Sequence, residues 1–240
     1  MTRPAPPPAL TDDHALFLDF DGTLAPIRDD PDAVALPGGG AQVLDALSRR
    51  LGGALALLSG RDVRDLSRRV PGSIWRAGGH GLEICAPGEA PASERAAAPE
   101  ALSRSIAEAI EGIEGVRIET KGEILAVHYR AAPDAAGVLS QRLAIAAARA
   151  DGYSLQHGKM VFEAKPAHAH KGAALSRLMR QAPFAGRVPV MVGDDTTDED
   201  AMQAALDAGG LAVKVGQGES LAPARLSTPD EVWNWLGEAL

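Results

Sequence analysis

Ala15-Leu16-Phe17-Leu18 runs straight into Asp19-Phe20-Asp21-Gly22-Thr23, and this junction restricts the possible folds more than any other stretch of the chain. An unbroken apolar run of this length suits a parallel strand covered on both faces, and a glycine just after it lets the chain turn where the strand stops. In open α/β sheets ligands bind beyond the carboxyl ends of such strands. Asp19 and Asp21, two residues apart in extended backbone, can face one site there, where a divalent cation would relieve their repulsion. Taken alone the pair also reads as an Asp-Gly turn with solvated acids.

Two more apolar runs repeat the pattern, and a helix start between them adds a lysine. Ala54-Leu55-Ala56-Leu57-Leu58 ends at Ser59-Gly60-Arg61, bringing a hydroxyl and fresh backbone N–H groups to a second strand end. Val188-Pro189-Val190-Met191-Val192 ends at Gly193-Asp194-Asp195-Thr196-Thr197-Asp198, adding three acids. Between them His170-Lys171-Gly172 opens a helical pattern with Ala174, Leu175, Leu178 and Met179 on one face. Each piece has an ordinary reading: Ser59 as a helix cap, Lys171 as a solvated helix start, Asp198 as the N-cap of a helix carrying Ala201, Met202, Ala205 and Leu206. Together, two acid-bearing strand ends, a hydroxyl-bearing one and a lysine describe a site for a metal and a phosphate.

In this order the elements resemble the haloacid dehalogenase superfamily of phosphohydrolases. The longer strings LDFDGTLAPI, LLSGR, GGHGLE, KGEILAVHYR, GKMVFEAKP and VGDDTTDEDAM resemble the trehalose-6-phosphate phosphatases within it, over nearly the whole chain. The resemblance implies a Mg²⁺-dependent hydrolysis of trehalose 6-phosphate through an aspartyl-phosphate. Asp19 would be the nucleophile, and Asp21 the acid that protonates the leaving sugar and then the base toward water. Ser59 would hold a phosphoryl oxygen, and Lys171 would pair with Asp19 and the phosphate. The metal ligands implied are the Asp19 carboxylate, the Asp21 carbonyl and the Asp194 carboxylate, with Asp195 and Asp198 in support. Glu119, Lys121, Arg130, Lys159 and Glu163 match positions that bind sugar hydroxyls, and Arg61 and His80 are further substrate-binding candidates. His168 and His170 stand where the family more often has glycine and asparagine and receive no role.

Period two supports part of the sugar site independently. Glu119 with Lys121, His128 with Arg130, and Lys159 with Glu163 each fall on one face of a strand, although a solvated sheet face has the same pattern. Hydroxyl-rich ligands suit charged partners because an analogue lacking a hydroxyl leaves them unpaired.

The fold class expected is α/β, a Rossmann-like parallel-sheet core with an inserted α+β cap of two helix–hairpin units. Helix faces Val43/Leu44/Leu47/Leu51 and Val63/Leu66/Val70 follow the first two strands, and Ile74 to Ala77 reads as a third. After Ala86-Pro87-Gly88 the pattern changes to a helix with Leu102, Ile106 and Ile110. A hairpin over 116–130, a helix after Pro133 and a second hairpin over 153–164 follow. The expected division is 11–95 with 168–240 as core and 96–167 as cap. Residues 1–10, rich in proline, read as a disordered leader, and the chain's last helix starts at Thr228-Pro229-Asp230-Glu231 with a capping box.

A formal net charge of −8 argues against nucleic-acid or anionic-membrane partners, so local cations must attract a phosphate. Cys85 is the only cysteine, which excludes an intrachain disulfide and points to a reducing, cytoplasmic setting. A monomer acting on a small sugar phosphate is expected, with a synthase as a possible functional partner. The competing expectations are another sugar phosphatase of the superfamily, for sucrose 6-phosphate or a glycosyl-phosphoglycerate, and a catalytically silent sugar-phosphate sensor.

Overall fold

The computed structural model describes residues 5–158 and 160–240. In chain order its elements are β1 (His14–Leu18), α1 (Gly40–Arg50), β2 (Leu55–Leu58), α2 (Val63–Arg69), β3 (Trp75–Gly78), β4 (Glu83–Cys85), α3 (Glu100–Ile110), β5 (Arg117–Lys121), β6 (Ile124–His128), α4 (Ala136–Ala148), β7 (Tyr153–Gly158), β8 (Val161–Pro166), α5 (Lys171–Leu178), β9 (Val188–Gly193), α6 (Thr196–Asp207), β10 (Leu211–Val215), β11 (Ala224–Leu226) and α7 (Pro229–Gly237). The chain divides into two compact units, one running to Pro91 and resuming over His170–Leu240, the other spanning Ala92–Ala169.

The first unit is built on a seven-stranded sheet in the order β11-β10-β9-β1-β2-β3-β4. All neighbours pair in parallel except β3 and β4, which form an antiparallel edge. This is the α/β parallel-sheet core expected from the sequence. Every residue of β1 and β2 is buried, as strands covered on both faces must be. From β1 the chain winds outward through β2 and β3, then returns to the other side of β1 to wind through β9, β10 and β11. The direction of winding therefore reverses at β1, and a crevice opens beyond the carboxyl ends of the strands at such a reversal. Phe17, Phe20, Leu24, Leu44, Leu57, Phe184 and Trp235 belong to one core cluster around this sheet.

Residues 5–10 are ordered differently from the leader expected. The Arg225 N–H donates to the Ala5 carbonyl at 3.1 Å, Trp235 Nε1 donates to the Pro8 carbonyl at 3.0 Å, and Leu10 is buried. Prolines cannot donate to a ladder, but their carbonyls still accept.

The second unit has an antiparallel sheet in the order β5-β6-β8-β7. One face packs Leu125, Val127, Phe162 and Ala164 against Leu102 and Ile106 of α3 and Leu139 and Leu143 of α4. The opposite face carries the polar residues, the usual division when an antiparallel sheet has helices on one side only. No helix among the described residues is long and apolar enough to cross a membrane.

Candidate active site

The site forms where β9, β1 and β2 end side by side. Leu18 pairs with Val192 on one flank and Leu57 on the other, so Asp19, Asp194 and Ser59 emerge from adjacent strands about 4.8 Å apart. Gly22 makes this possible. Its φ is +84°, and a Cβ there would lie 2.2 Å from Asp194 Oδ2, so any side chain would displace the Asp194 carboxylate.

Asp19 is buried and receives the Lys171 ammonium at 2.6 Å; the same nitrogen donates to Asp198 Oδ1 at 2.6 Å. The His170 ring caps the helix that Lys171 begins, with Nδ1 accepting from the Ala173 N–H at 3.2 Å. Burial pushes the Asp19 carboxyl well above the usual range, repulsion from Asp198 adds to this, and Lys171 pulls the other way. For Lys171, burial disfavours the charge, but Asp19 and Asp198 outweigh it and raise the ammonium pKa. Asp194 is lifted to about 6 by burial and then by Asp198.

Asp198 organises rather than caps alone. Its Oδ2 accepts from the Asp194 and Asp195 N–H groups, both at 3.0 Å, while Asp195 is the N-cap of α6 in a reciprocal capping box with Asp198. The simple N-cap reading of Asp198 is thus corrected: the cap is Asp195, which is exposed, and Asp198 sits fully buried one turn in. Asp19, Asp194 and Asp198 each offer an oxygen within 4.8 Å of the others. Two residues not singled out from the sequence steady this cluster. Thr23 Oγ1 donates to Asp194 Oδ1 at 3.3 Å, and the buried Lys214 ammonium donates to the Asp194 carbonyl.

Ser59 Oγ accepts from the Arg61 N–H at 3.1 Å, which leaves the hydroxyl proton to donate onward. His80 lies in a tight turn at φ +59°, its N–H donating to the Ser59 carbonyl at 2.9 Å. A Cβ on Gly60 would meet the imidazole at 2.8 Å, so His80 packs directly over the Ser59-Gly60-Arg61 turn. Arg61 turns inside its own unit: its Nη2 reaches Asp21 Oδ1 at 2.6 Å and its Nη1 reaches Asp65 at 2.8 Å.

On the face of the second unit away from its helices, Glu119, Ala126, Glu163 and Gln156 line up across four strands. Lys121 Nζ donates to Glu163 at 3.4 Å and lies 4.0 Å from Glu119, which meets His128 at 2.8 Å. Arg130 does not share that face through strand alternation, because β6 ends at His128 and Arg130 sits exposed in the following turn. Lys159 lies outside the described residues.

A family model described as trehalose-phosphatase matches residues 17–228, which contain every residue named above as a site candidate. The chain belongs to the trehalose-phosphatase family. Its curated relatives include the probable trehalose-phosphate phosphatase of Sinorhizobium fredii, 43% identical over 209 residues, with 85% of this chain and 78% of that one covered. The trehalose-6-phosphate phosphatase of Escherichia coli is 38% identical, with 98% of this chain and 90% of that one covered. Among solved structures, the C-terminal domain of C. albicans trehalose-6-phosphate phosphatase has a TM-score of 0.76 at 24% identity and covers 98% of both chains, which shows a shared fold. Membership of the trehalose-phosphatase family bears out the resemblance carried by LDFDGTLAPI and VGDDTTDEDAM.

Proposed function

We propose that this chain is a phosphomonoester hydrolase that converts trehalose 6-phosphate to trehalose and phosphate, working as a cytoplasmic enzyme with Mg²⁺. The observation that carries the chemistry is the buried Asp19, held by Lys171 at 2.6 Å where the winding of the sheet reverses; family membership carries the choice of sugar.

The donor set fits Mg²⁺, which prefers carboxylate and carbonyl oxygens and keeps several waters. Both Asp198 oxygens already accept hydrogen bonds, so Asp19, Asp194 and the Asp21 carbonyl are the natural ligands, with Asp195 and Asp198 in support. Bound Mg²⁺ supplies charge neutralisation at the phosphoryl group.

Asp19 attacks phosphorus in line, forming the Asp19–phosphoryl bond as the bond to the sugar oxygen breaks. Asp21 protonates that oxygen, then takes a proton from the water that attacks the phosphoaspartate, releasing phosphate and restoring Asp19. Lys171 opposes the protonation that burial favours at Asp19, since its ammonium stabilises the ionised carboxylate that attacks, and Ser59 donates to a phosphoryl oxygen. The polar face of the second unit, which we read as the cap, supplies Glu119, Lys121 and Glu163 to the sugar hydroxyls, joined by Arg130 and Lys159.

Phosphate release from a panel of sugar and aryl phosphates, with and without Mg²⁺, tests the proposal. Mg²⁺-dependent turnover with trehalose 6-phosphate preferred is expected. A strong preference for sucrose 6-phosphate or another sugar overturns the substrate, and the absence of any turnover favours a sensor.

A further inference from the structure

Arg61, a substrate-binding candidate from the sequence, is held by four hydrogen bonds within its own unit. Its Nε and Nη2 donate to Asp21 Oδ2 and Oδ1 at 2.7 and 2.6 Å, Nη1 donates to Asp65 Oδ2 at 2.8 Å, and Nη2 also reaches the Pro31 carbonyl at 3.0 Å. The guanidinium sits 5.6 Å from the Phe20 ring centroid. Every nitrogen of the fork therefore has a partner, and two of the three serve Asp21.

Asp65 anchors the far side. It accepts from Arg69 Nε and Nη2 at 3.0 and 2.9 Å and from Arg68 at 3.2 Å, while Arg69 Nη1 donates to the Val34 and Asp32 carbonyls at 2.6 and 3.1 Å. A chain of charge-assisted hydrogen bonds thus runs from Asp21 through Arg61, Asp65 and Arg69 to backbone. Side-chain exposures of 13%, 21% and 12% for Arg61, Asp65 and Arg69 keep it largely out of water, where such bonds hold geometry best. Burial opposes the Asp65 charge, but Arg69, Arg61 and Arg68 outweigh it and hold the carboxyl below the usual carboxylate range.

We propose that Asp65, acting through Arg61, is a positioning residue for Asp21. The inference rests on reading Asp21 as the acid and base of the hydrolysis. The fork engages both Asp21 oxygens as acceptors, which is the arrangement of the base. To act as the acid, Asp21 gives up one contact and turns toward the leaving oxygen, and Asp65 keeps Arg61 from following it. A planar fork pinned on its far side can do this, whereas an untethered one drifts with its partner.

The test compares trehalose 6-phosphate, whose sugar oxygen needs a proton to leave, with 4-nitrophenyl phosphate, whose phenolate does not. Asp65→Asn is expected to lower single-turnover cleavage of trehalose 6-phosphate by about tenfold or more and to change the nitrophenolate burst by less than about threefold. Asp65→Glu restores most of the loss, and Arg69→Gln, which loosens Asp65 from behind, repeats the selective defect more mildly. Equal loss on both substrates, or no loss on trehalose 6-phosphate, overturns the role of Asp65 and leaves the phosphatase reading standing. A wild-type protein that cleaves neither ester takes down that reading and this inference with it. Should Asp65→Asn fail to fold by its urea transition, Arg69→Gln decides alone: a selective defect supports the inference, and an equal or absent one overturns it.

Discussion

Lys171 and Asp19 stand 152 residues apart in the chain and meet at 2.6 Å, the lysine only 3% exposed. A buried cation this close to a carboxylate is strongly coupled to it, because removing one partner leaves an uncompensated charge out of water.

Lys171→Met keeps an aliphatic stem and deletes the charge. Asp19 and Asp198 then face each other without the ammonium that both contact. The metal-free variant should lose about 3–5 kcal/mol in urea unfolding, and phosphate release should fall by at least about a hundredfold. Wild-type stability in this variant contradicts the coupling.

Asp194 predicts a pH signature for the metal-free protein. Its pKa of about 6 in the fold lies above the ordinary 3.8, so between those values the folded state binds more protons than the unfolded one. The stability it contributes is therefore complete below about pH 4 and is lost as pH rises through 6. Asp194→Asn removes the titration. In chelator at pH 7.5 that variant should be more stable than wild type by up to about 3 kcal/mol, and the gap should close toward pH 4. Millimolar Mg²⁺ should raise the wild-type melting temperature more than that of the variant. A gap independent of pH contradicts the electrostatic account.

How much of this was legible depended on what each residue needs from its surroundings. β1 and Asp19 could be read because a strand buried on both faces admits only apolar residues, so the acids mark its end. Lys171 could be read from its place at the head of an amphipathic helix. Asp65 could not, since in the run Arg61-Asp62-Val63-Arg64-Asp65-Leu66-Ser67-Arg68-Arg69 every charge looks like part of a solvated helix face until Arg61 is seen to turn inward. Lys214 was hidden in the same way, a single lysine in an apolar strand that donates to a backbone carbonyl and lies 3.9 Å from Glu199. Arg130 was misplaced by extending period two past His128, where the Ala132 N–H closes a turn on the Tyr129 carbonyl. β4 and β11, three residues each, are too short to show a period.

Asp21→Asn should nearly abolish turnover of trehalose 6-phosphate while sparing much of the nitrophenolate burst, because an amide cannot protonate a sugar oxygen but a phenolate needs no proton. Equal losses in single-turnover measurements remove Asp21 from the acid role.

Glu163 is central to the polar face of the second unit, with Lys121 at 3.4 Å. Glu163→Ala should cost about 1–3 kcal/mol in kcat/KM for trehalose 6-phosphate and leave 4-nitrophenyl phosphate within a few-fold of wild type. Equal damage to both substrates makes Glu163 a structural residue, and damage to neither removes the face from substrate recognition.

The most direct measurement is phosphate release from trehalose 6-phosphate at saturating Mg²⁺ by wild type and Asp19→Asn side by side, with urea unfolding confirming that both are folded. Turnover by wild type and its loss by at least about a thousandfold in a stably folded Asp19→Asn is the predicted result, since an amide cannot attack phosphorus. A folded Asp19→Asn that keeps more than a few per cent of the wild-type rate would contradict the assignment of Asp19 as the nucleophile.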